Sequence, residues 1–373
     1  MKRCYTILSI FIVFITIINL CGCSEKEKAT SVRNNGNTEK MTSVSNDTDS
    51  IKTITDMGGR KVEISDKIGK VYGANPMSTI LLFTLVPDKI IAWNTKLPNQ
   101  NVLPEKYRNL PVAGSMGTKQ QAASPEEILA HNPDMVIFAQ TEINEQGIDK
   151  ADKLSKQLGK PVVLVNGSFE NMESTYELLG QIFDCSERSN ELIQYYKDTL
   201  SNIENIKSEI KEEDKVKVYY GKEADALTTS GNQSVHAKLI QMVGGVNAAG
   251  SIEGSGDAAI NMEDVIKWQP DVILLSEAND NEKDSSQNLK KSNIWKGITA
   301  VENGKVYVSP QLIFSWFDRP PSINELIGIK WLAQTLYPSY YNLDIRSEIK
   351  DFYKEFYNID LKDGDVNKIL AGE

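Results

Sequence analysis

Histidine and cysteine are scarce in this sequence. Only two of the 373 residues are histidine, His131 and His236, and they lie far apart in the chain. Of the four cysteines, three fall within the first 23 residues, so Cys185 is alone in the body of the chain. Zinc sites need such side chains in clusters at short spacing. The sequence therefore predicts no metal site built by the chain and excludes a disulfide within its body.

The motifs that mark common enzyme classes are also missing. The chain has no Gly-x-Ser-x-Gly elbow, no Walker loop and no Gly-x-Gly-x-x-Gly after a predicted strand. Gly254 and Gly256 lack a third glycine at that spacing and predict a turn. We therefore expect no catalytic residues, no cofactor and no enzyme activity.

Clusters of basic residues are absent from the body of the chain. The formal net charge is -10, with 40% hydrophobic and 25% charged residues, which is typical of a soluble globular protein. Nucleic acids and anionic lipid surfaces select basic patches. We expect neither as a partner, whereas a small anionic ligand needs only a few local donors and stays possible.

The N-terminus has the features of an export signal. The basic pair Lys2-Arg3 precedes an apolar stretch over residues 7–20, which is short for a membrane span but suits a signal peptide. The stretch ends in Leu20-Cys21-Gly22-Cys23, which resembles the bacterial lipoprotein signal. That resemblance implies cleavage before Cys23 and a lipid on its thiol. The alternative is an uncleaved signal anchor.

This interpretation places the protein outside the cytoplasm. Residues 1–22 would be the signal peptide, and residues 23–50, which nearly lack large apolar side chains, would form a flexible tether. The protein would be exported and lipid-anchored to the outer face of the cytoplasmic membrane. In a cell with two membranes it would face the periplasm.

One pattern occurs twice, once in each half of the chain. Residues 124–138 and 261–275 align without a gap, and Ser124 and Asn261 open the two copies as helix N-caps. In each copy a Pro-Asp pair ends the helix and an apolar run follows. Each copy predicts a short helix that leads into a buried strand. Two similar α/β lobes are the simplest architecture with this repeat.

The stretch between the two halves predicts connecting helices. Residues 170–213 carry apolar side chains at helical spacing, with a break near Asp184. An ordinary surface helix is the alternative. The predicted organisation is an N-terminal lobe over residues 51–169, connecting helices over 170–213 and a C-terminal lobe over 214–373. Residues 51–64 predict a hairpin and residues 228–231 a loop, and apolar runs predict strands at residues 70–74, 89–93, 160–165, 217–221 and 306–308.

These pieces together resemble a known family. The segment Glu-x-h-h-x-x-x-Pro-Asp-h-h-h, where h is apolar, begins at Glu126 and again at Glu263. Further matching segments are residues 111–114, 236–247 and 316–338. In this order the segments resemble the iron-siderophore and vitamin B12 substrate-binding proteins of bacterial ABC importers. The resemblance implies an α/β fold of two Rossmann-like lobes joined by one long helix, with a ligand cleft between them.

The resemblance also implies a function and partners. The protein would capture a metal chelate, in the first place a ferric siderophore, and deliver it as a monomer to an ABC permease dimer with its ATPase. Glu126 and Glu263 match the glutamates that dock onto arginine pockets of the two permease subunits. Acids are favoured at any helix N-terminus, which is the alternative explanation.

The candidate ligand contacts follow the predicted core strands. Aromatic side chains offer faces to a flat chelate, while Arg319 and Lys222 could bind negative donor oxygens. The alternative is that the aromatic side chains pack in the core and that Arg319 pairs with Asp318. The candidates are Tyr72, Trp93, Lys96, Ser115, Tyr220, Lys222, Thr229, Trp316, Phe317 and Arg319.

Other functions stay open from the sequence. His131 aligns with Trp268 in the repeat and predicts packing, whereas His236 opens a helix at the cleft edge, where a metal or haem role is a minor alternative. A corrinoid or haem binder, or a binder of nickel chelates, would use the same fold. A ligand sensor or adhesion lipoprotein without a transport role, or a surface enzyme of the same shape, are alternatives from other classes.

Overall fold

The computed structural model describes residues 50–97, 100–116, 122–276 and 285–371. The predicted signal peptide, Cys23 and nearly all of the predicted tether lie outside these ranges. The described residues belong to one compact unit. Within the described ranges, no helix combines the length and the apolar character that crossing a membrane requires.

The predicted hairpin at the start of the body is confirmed. Strands β1 (Ile51–Thr55) and β2 (Lys61–Ser65) pair antiparallel. Between them the buried carboxylate of Asp56 accepts hydrogen bonds from the amides of Gly58, Arg60 and Leu164. The bond to Leu164 fastens the hairpin to the first lobe.

The first lobe is built on a three-stranded parallel sheet. The strands are β3 (Val71–Gly73), β4 (Met135–Gln140) and β5 (Val162–Asn166), in that spatial order. Their apolar residues are buried on both faces, as parallel strands require. The helices of this lobe are α1 (Pro76–Leu85), α2 (Glu105–Arg108), α3 (Pro125–Ala130) and α4 (Glu145–Leu158).

The strand predicted at residues 89–93 does not form as a continuous element. A 3₁₀ turn, Pro87–Lys89, takes up its first residue. Only two isolated bridges remain, from Ile90 to Val71 and from Trp93 to Val112. The apolar run therefore lies along the sheet edge as extended chain. The turn that begins at Pro87 includes Lys89, the first residue of the predicted strand.

Two helices occupy the stretch predicted to connect the lobes. They are α5 (Met172–Ile182) and α6 (Ser186–Lys207), and the break between them falls at the predicted position, where Asp184 has a positive φ of 54°. The 22 residues of α6 make it about 33 Å long.

The second lobe has a four-stranded parallel sheet and a small antiparallel ribbon. Its strands in chain order are β6 (Lys217–Gly221), β7 (Thr228–Ser230), β8 (Val246–Asn247), β9 (Asp257–Ala259), β10 (Val272–Leu275) and β11 (Val306–Val308). The sheet order is β11-β10-β6-β8, and β7 pairs with β9 as the ribbon. The loop predicted at residues 228–231 is therefore wrong, because its β-branched residues find a distant antiparallel partner. The helices are α7 (Lys238–Met242), α8 (Met262–Trp268), α9 (Ser285–Lys291) and α10 (Thr299–Glu302).

The C-terminal segment closes the core. A short hairpin, β12 (Gln311–Leu312) and β13 (Phe314–Ser315), leads through a loop with a cis Arg319–Pro320 bond into the last helices. These helices are α11 (Glu325–Leu336), α12 (Pro338–Tyr341), α13 (Ile345–Tyr357) and α14 (Asp363–Ala371). The ring of Phe83 in α1 lies 6.5 Å from that of Phe314 and 5.6 Å from that of Tyr357, so one hydrophobic core runs from the first lobe into this segment.

Candidate functional site

Charged side chains come together beyond the carboxyl end of β6. Lys222 directly follows β6, Ser230 ends β7 and Asp257 begins β9. The ammonium group of Lys222 donates to Ser230 Oγ at 2.9 Å and to Asp257 Oδ1 at 2.5 Å. In open α/β sheets, ligands bind beyond the carboxyl ends of the strands. This cluster is therefore the candidate site of the second lobe.

Asp318 reaches the same cluster from the loop after β13. Its side chain is only 3% exposed, and Oδ1 accepts a hydrogen bond from the hydroxyl of Tyr220 at 2.9 Å. Its other oxygen, Oδ2, lies 3.9 Å from Lys222 Nζ and contacts His236 Nδ1. The contact lacks hydrogen-bond geometry, so both buried atoms are without a hydrogen-bond partner in the described chain.

His236 lies between two carboxylates. It belongs to the 3₁₀ turn Val235–Ala237, which Ser234 caps by accepting from the His236 amide. While Nδ1 contacts Asp318, Nε2 lies 3.9 Å from Asp257 Oδ1. The imidazole thus joins the cluster with part of its surface exposed. The predicted place of His236 at the cleft edge agrees with this position, but its contacts with the two aspartates were not predicted, because these are distant in the chain.

The environment of the cluster changes the acidity of its members. Burial lowers the pKa of Lys222, and the carboxylates of Asp257 and Asp318 oppose this shift. Burial would raise the pKa of Asp257, but hydrogen bonds from Lys222 and Ser230 hold it below its ordinary value. Burial and the nearby Asp318 carboxylate raise the pKa of Tyr220 well above its ordinary value, so its hydroxyl stays a hydrogen-bond donor.

A buried acid lies behind the cluster. Burial and the charge of Asp318 raise the pKa of Glu325 well above its ordinary value, and the amide of Ser322 donates to Glu325 Oε1 at 3.3 Å. Near it, Lys238 of α7 forms an ion pair with Glu170, which precedes α5. This ion pair links the connecting segment to the second lobe beside the site.

The two predicted cations of the second lobe differ in access. Lys222 is completely buried, whereas the side chain of Arg319 is 43% exposed. The Arg319 guanidinium lies 3.6 Å from Glu223 Oε1, so its partner is Glu223 and not Asp318. Arg319 is therefore the cation of this pair that a ligand can reach.

In the first lobe, a polar network follows β3. The hydroxyl of Tyr72 donates to the carbonyl of Gly114, and Asn94 Nδ2 donates to the carbonyl of Gly73 at 2.5 Å. Burial raises the pKa of Tyr72 to about 12, so this phenol stays protonated. Asn94 and its network were not predicted, since an amide in a loop carries no signal in a single sequence.

Ser115 and Lys96 differ in their exposure to solvent. Ser115 is buried beside this network, and Lys96 is exposed. No ion pair involves Lys96 in the described ranges of the chain.

The predicted aromatic contacts lie inside the core. Trp93 and Trp316 have no exposed surface, and their indole N–H groups donate to the carbonyl of Tyr107 and to the hydroxyl of Tyr353, each at 2.8 Å. Phe317 is buried as well, with 1% of its surface exposed. In this conformation none of the three offers a face to a ligand, and packing explains their positions.

Tyr220 and Thr229 are also enclosed. The ring of Tyr220 packs 5.9 Å from that of Phe317, and the hydroxyl of Thr229 donates to the Tyr220 carbonyl at 2.7 Å. These two residues support the backbone behind Lys222. Of the ten predicted contacts, Lys96 and Arg319 are the exposed ones in this structure.

The repeated helix starts present the two predicted docking glutamates. Ser124 and Asn261 accept from the amides of Glu127 and Asp264, which confirms both N-caps. Glu126 and Glu263 follow in the first turns of α3 and α8 and are exposed. Neither carboxylate forms an ion pair with a described residue, so both are available to a partner.

Among the described residues, no group of three or more histidine, cysteine, aspartate or glutamate side chains could hold a metal ion. The site arranged around Lys222 can therefore offer hydrogen bonds and charge to a ligand.

Comparison with known proteins places this architecture in a family. The model of the periplasmic binding protein family matches residues 85–312. The molybdate-binding protein MolA of Haemophilus influenzae is 23% identical over 339 residues, which cover 83% of this chain and 92% of that protein. The uncharacterized ABC transporter substrate-binding lipoprotein YvrC of Bacillus subtilis is 22% identical over 291 residues, 77% of this chain and 85% of that protein.

A solved structure shares the fold at similar length. The ABC transporter solute binding protein from Sulfurospirillum deleyianum is 26% identical, with a TM-score of 0.75 over 85% of this chain and 98% of that chain. The comparisons confirm both the resemblance stated from the sequence and the two-lobed α/β fold. Because the family model matches more than half of the sequence, the chain belongs to the periplasmic binding protein family.

Proposed function

We propose that this ABC-transporter substrate-binding protein captures a ferric siderophore and delivers it to a membrane permease. The observation that carries the proposal is the half-exposed Arg319 guanidinium beyond the carboxyl end of β6, with Glu223 as a loose partner. A planar guanidinium can donate to the oxygen atoms that hold iron in a siderophore. Lys96 supplies a second exposed cation from the first lobe.

A titration of the full-length chain in detergent tests the ligand. Ferric hydroxamates, ferric catecholates, haem, cobalamin and nickel chelates are added while tryptophan fluorescence is followed. Buried Trp93 and Trp316 transfer excitation to a coloured ligand without touching it, so binding quenches them. Saturable quenching by a ferric siderophore supports the proposal. Saturable quenching by haem or cobalamin alone would mean that the protein carries that ligand and not a siderophore.

Molybdate is a second candidate. The similarity to a molybdate-binding protein extends over 83% of this chain. Molybdate is colourless, so isothermal calorimetry is the suitable measurement. Binding of molybdate without binding of any ferric chelate would make the protein an oxyanion carrier.

The proposal includes two docking contacts with the permease. Glu126 and Glu263 would each place a carboxylate in a basic pocket, because an exposed helix start holds a carboxylate ready for bidentate guanidinium bonds. The double variant Glu126→Gln/Glu263→Gln should lose uptake in cells and keep its ligand affinity. Loss of uptake would also separate transport from a sensing role.

Matched controls for the docking test exist in the chain. Glu145 and Glu187 are exposed glutamates in the first turns of α4 and α6. The variant Glu145→Gln/Glu187→Gln should transport normally. Unchanged uptake in the Glu126/Glu263 variant, or an equal loss in the control, would rule the docking contacts out.

The proposal also includes the lipid anchor at Cys23, which lies outside the described residues. One relative that covers 77% of the chain is a lipoprotein. Labelled palmitate should be incorporated into the native chain and not into the Cys23→Ala variant. Equal labelling of both chains, or release of the native protein into the medium, would contradict the anchor.

A further inference from the structure

The charges around the second-lobe site do not balance. We call the side chains of Lys222, Glu223, His236, Asp257, Asp318 and Arg319 the acidic wall. Contacts join Lys222, His236, Asp257 and Asp318, and the ion pair of Glu223 and Arg319 adjoins them because these two residues follow Lys222 and Asp318 in the chain. In this set three carboxylates face two basic side chains, Lys222 and Arg319. The carboxylates therefore outnumber the lysine and arginine side chains by one.

Both cations are already engaged by protein groups. The ammonium group of Lys222 is buried and donates to Asp257 and Ser230. Arg319 has Glu223 within 3.6 Å. Lys222 is therefore closed to a ligand, and an anionic ligand at the exposed Arg319 would also meet the negative charge of Glu223.

Asp257, in contrast, has acceptor capacity left. Asp318 Oδ2 is buried against His236 Nδ1 and lies 3.9 Å from Lys222 Nζ, so a ligand does not reach it. Asp257 receives both its hydrogen bonds, from Lys222 and Ser230, on Oδ1, and its side chain is 37% exposed. Oδ2 of Asp257 is thus free to accept from a ligand. The accessible acceptor of the acidic wall, Asp257 Oδ2, lacks a hydrogen-bond donor or a positive charge opposite it.

Neighbouring charged groups do not reverse this balance. Lys238 is paired with Glu170, so the two charges cancel. Glu325 can only be neutral or negative. The formal net charge of the whole chain, -10, acts in the same direction at longer range.

We propose that the acidic wall selects ferric chelates by charge and favours neutral or cationic tris-hydroxamate complexes over trianionic tris-catecholates. In the first class, three monoanionic hydroxamates neutralise the ferric ion. In the second, three dianionic catecholates leave three negative charges. An ammonium or amide N–H of the chelate would donate to Asp257 Oδ2, while hydroxamate oxygens accept from Arg319. This inference rests on the proposed siderophore function.

Three chelates that differ in charge test the inference. They are a ferric linear tris-hydroxamate with one free ammonium group, the same chelate with that amine acetylated, and a ferric tris-catecholate. Quenching titrations of the full-length chain should give an affinity for the ammonium form about tenfold above that of the acetylated form, and one for the catecholate about 100-fold below it. The acetylated chelate is the matched probe, because its iron-binding groups are unchanged, while acetylation removes the positive charge at one end and leaves a single amide N–H there.

A variant pair assigns the preference to the wall. Asp257→Asn keeps the shape of the side chain and removes its charge, so the preference for the ammonium form should disappear. Asp360 is a control, because it is an exposed aspartate paired with a lysine, Lys354, away from the site. Asp360→Asn should keep the full preference. A preference that survives Asp257→Asn overturns the inference.

The outcomes also separate this inference from the proposed function. Tight binding of the tris-catecholate, equal to or above that of the hydroxamates, overturns charge selection and leaves the siderophore function standing. Absence of binding by all three chelates overturns both proposals.

Discussion

In the second lobe, Glu325 places a carboxyl group in the core, where ionisable side chains are rarely found. It has one hydrogen bond, from the Ser322 amide, and Asp318 adds negative charge nearby. Water would solvate an ionised carboxylate far better than this environment does. The folded protein therefore holds the proton on Glu325 above the pH at which an unfolded chain would release it.

This proton makes stability depend on pH. The folded pKa of Glu325 is raised above its ordinary value of 4.5. Its contribution is thus fully present below pH 4.5 and is lost as the pH rises through the folded pKa. Glu325→Gln keeps the acceptor without the titration. Relative to this variant, the native chain should lose up to about 1.4 kcal/mol of unfolding free energy per pH unit across that window.

Urea unfolding at pH 5, 6, 7 and 8 measures the difference. Glu302→Gln changes an exposed glutamate on α10 and serves as the control, which should follow the native chain at every pH. Parallel curves for the native chain and Glu325→Gln would show that Glu325 is ionised in the folded protein.

Single residues of the site were predictable only in part. The sequence placed Lys222 and Arg319 after core strands, and the structure puts both in one cluster. The alternative, that Arg319 pairs with Asp318, is not found, because neighbours in an extended loop point in different directions and Asp318 faces His236. The sequence alone did not distinguish aromatic residues that pack in the core from those that line the cleft, because burial depends on partners that are distant in the chain.

At the scale of elements, local signals were reliable. The N-caps of α3 and α8, the break between α5 and α6, and the buried strands β4 and β10 all appear where the sequence predicts them. The ribbon of β7 and β9 was not predicted, because α7 and β8 lie between these two strands in the chain. Pairing between such distant segments leaves no periodic trace in one sequence.

The N-cap residues of α1 and α3 should contribute different amounts to the free energy of unfolding. Ser124 is an exposed cap that accepts one hydrogen bond from the Glu127 amide. Asn75 is a buried cap that accepts from the Ser78 amide and also donates to the carbonyl of Ala139 at 2.7 Å. Ser124→Ala should cost about 1 kcal/mol of unfolding free energy. Asn75→Ala should cost about 2–3 kcal/mol, because it also removes the buried bond to the Ala139 carbonyl, which keeps only the longer bond from Gln140 Nε2 at 3.2 Å.

Urea titrations of both variants at one pH test this order. An Asn75→Ser variant keeps a cap acceptor and loses the bond to Ala139, so its loss should fall between the two. Equal losses for Ser124→Ala and Asn75→Ala would mean that the Ala139 contact contributes nothing.

At the scale of the whole body, the connecting helix is tied to the second lobe. Lys330 of α11 donates to the hydroxyl of Tyr195 in α6 at 3.0 Å and to Glu348 of α13 at 2.5 Å. Tyr341 of α12 donates to the carbonyl of Ile203 in α6. The core contact from Phe83 to Phe314 then couples the first lobe to the same block. Helices packed in this way move by small sliding and not by wide hinge rotation.

Ligand binding should therefore change the dimensions of the body little. Small-angle X-ray scattering of the protein, with and without the ferric chelate that saturates the fluorescence signal, should show a change in radius of gyration of about 1 Å or less. Lys330→Met removes the link between α6, α11 and α13 and should enlarge this change. Lys207→Met, which removes a surface ion pair on α6, should not. Compaction by several ångströms in the native chain would mean that the lobes rotate about the connecting helix, and that the continuous core opens without ligand.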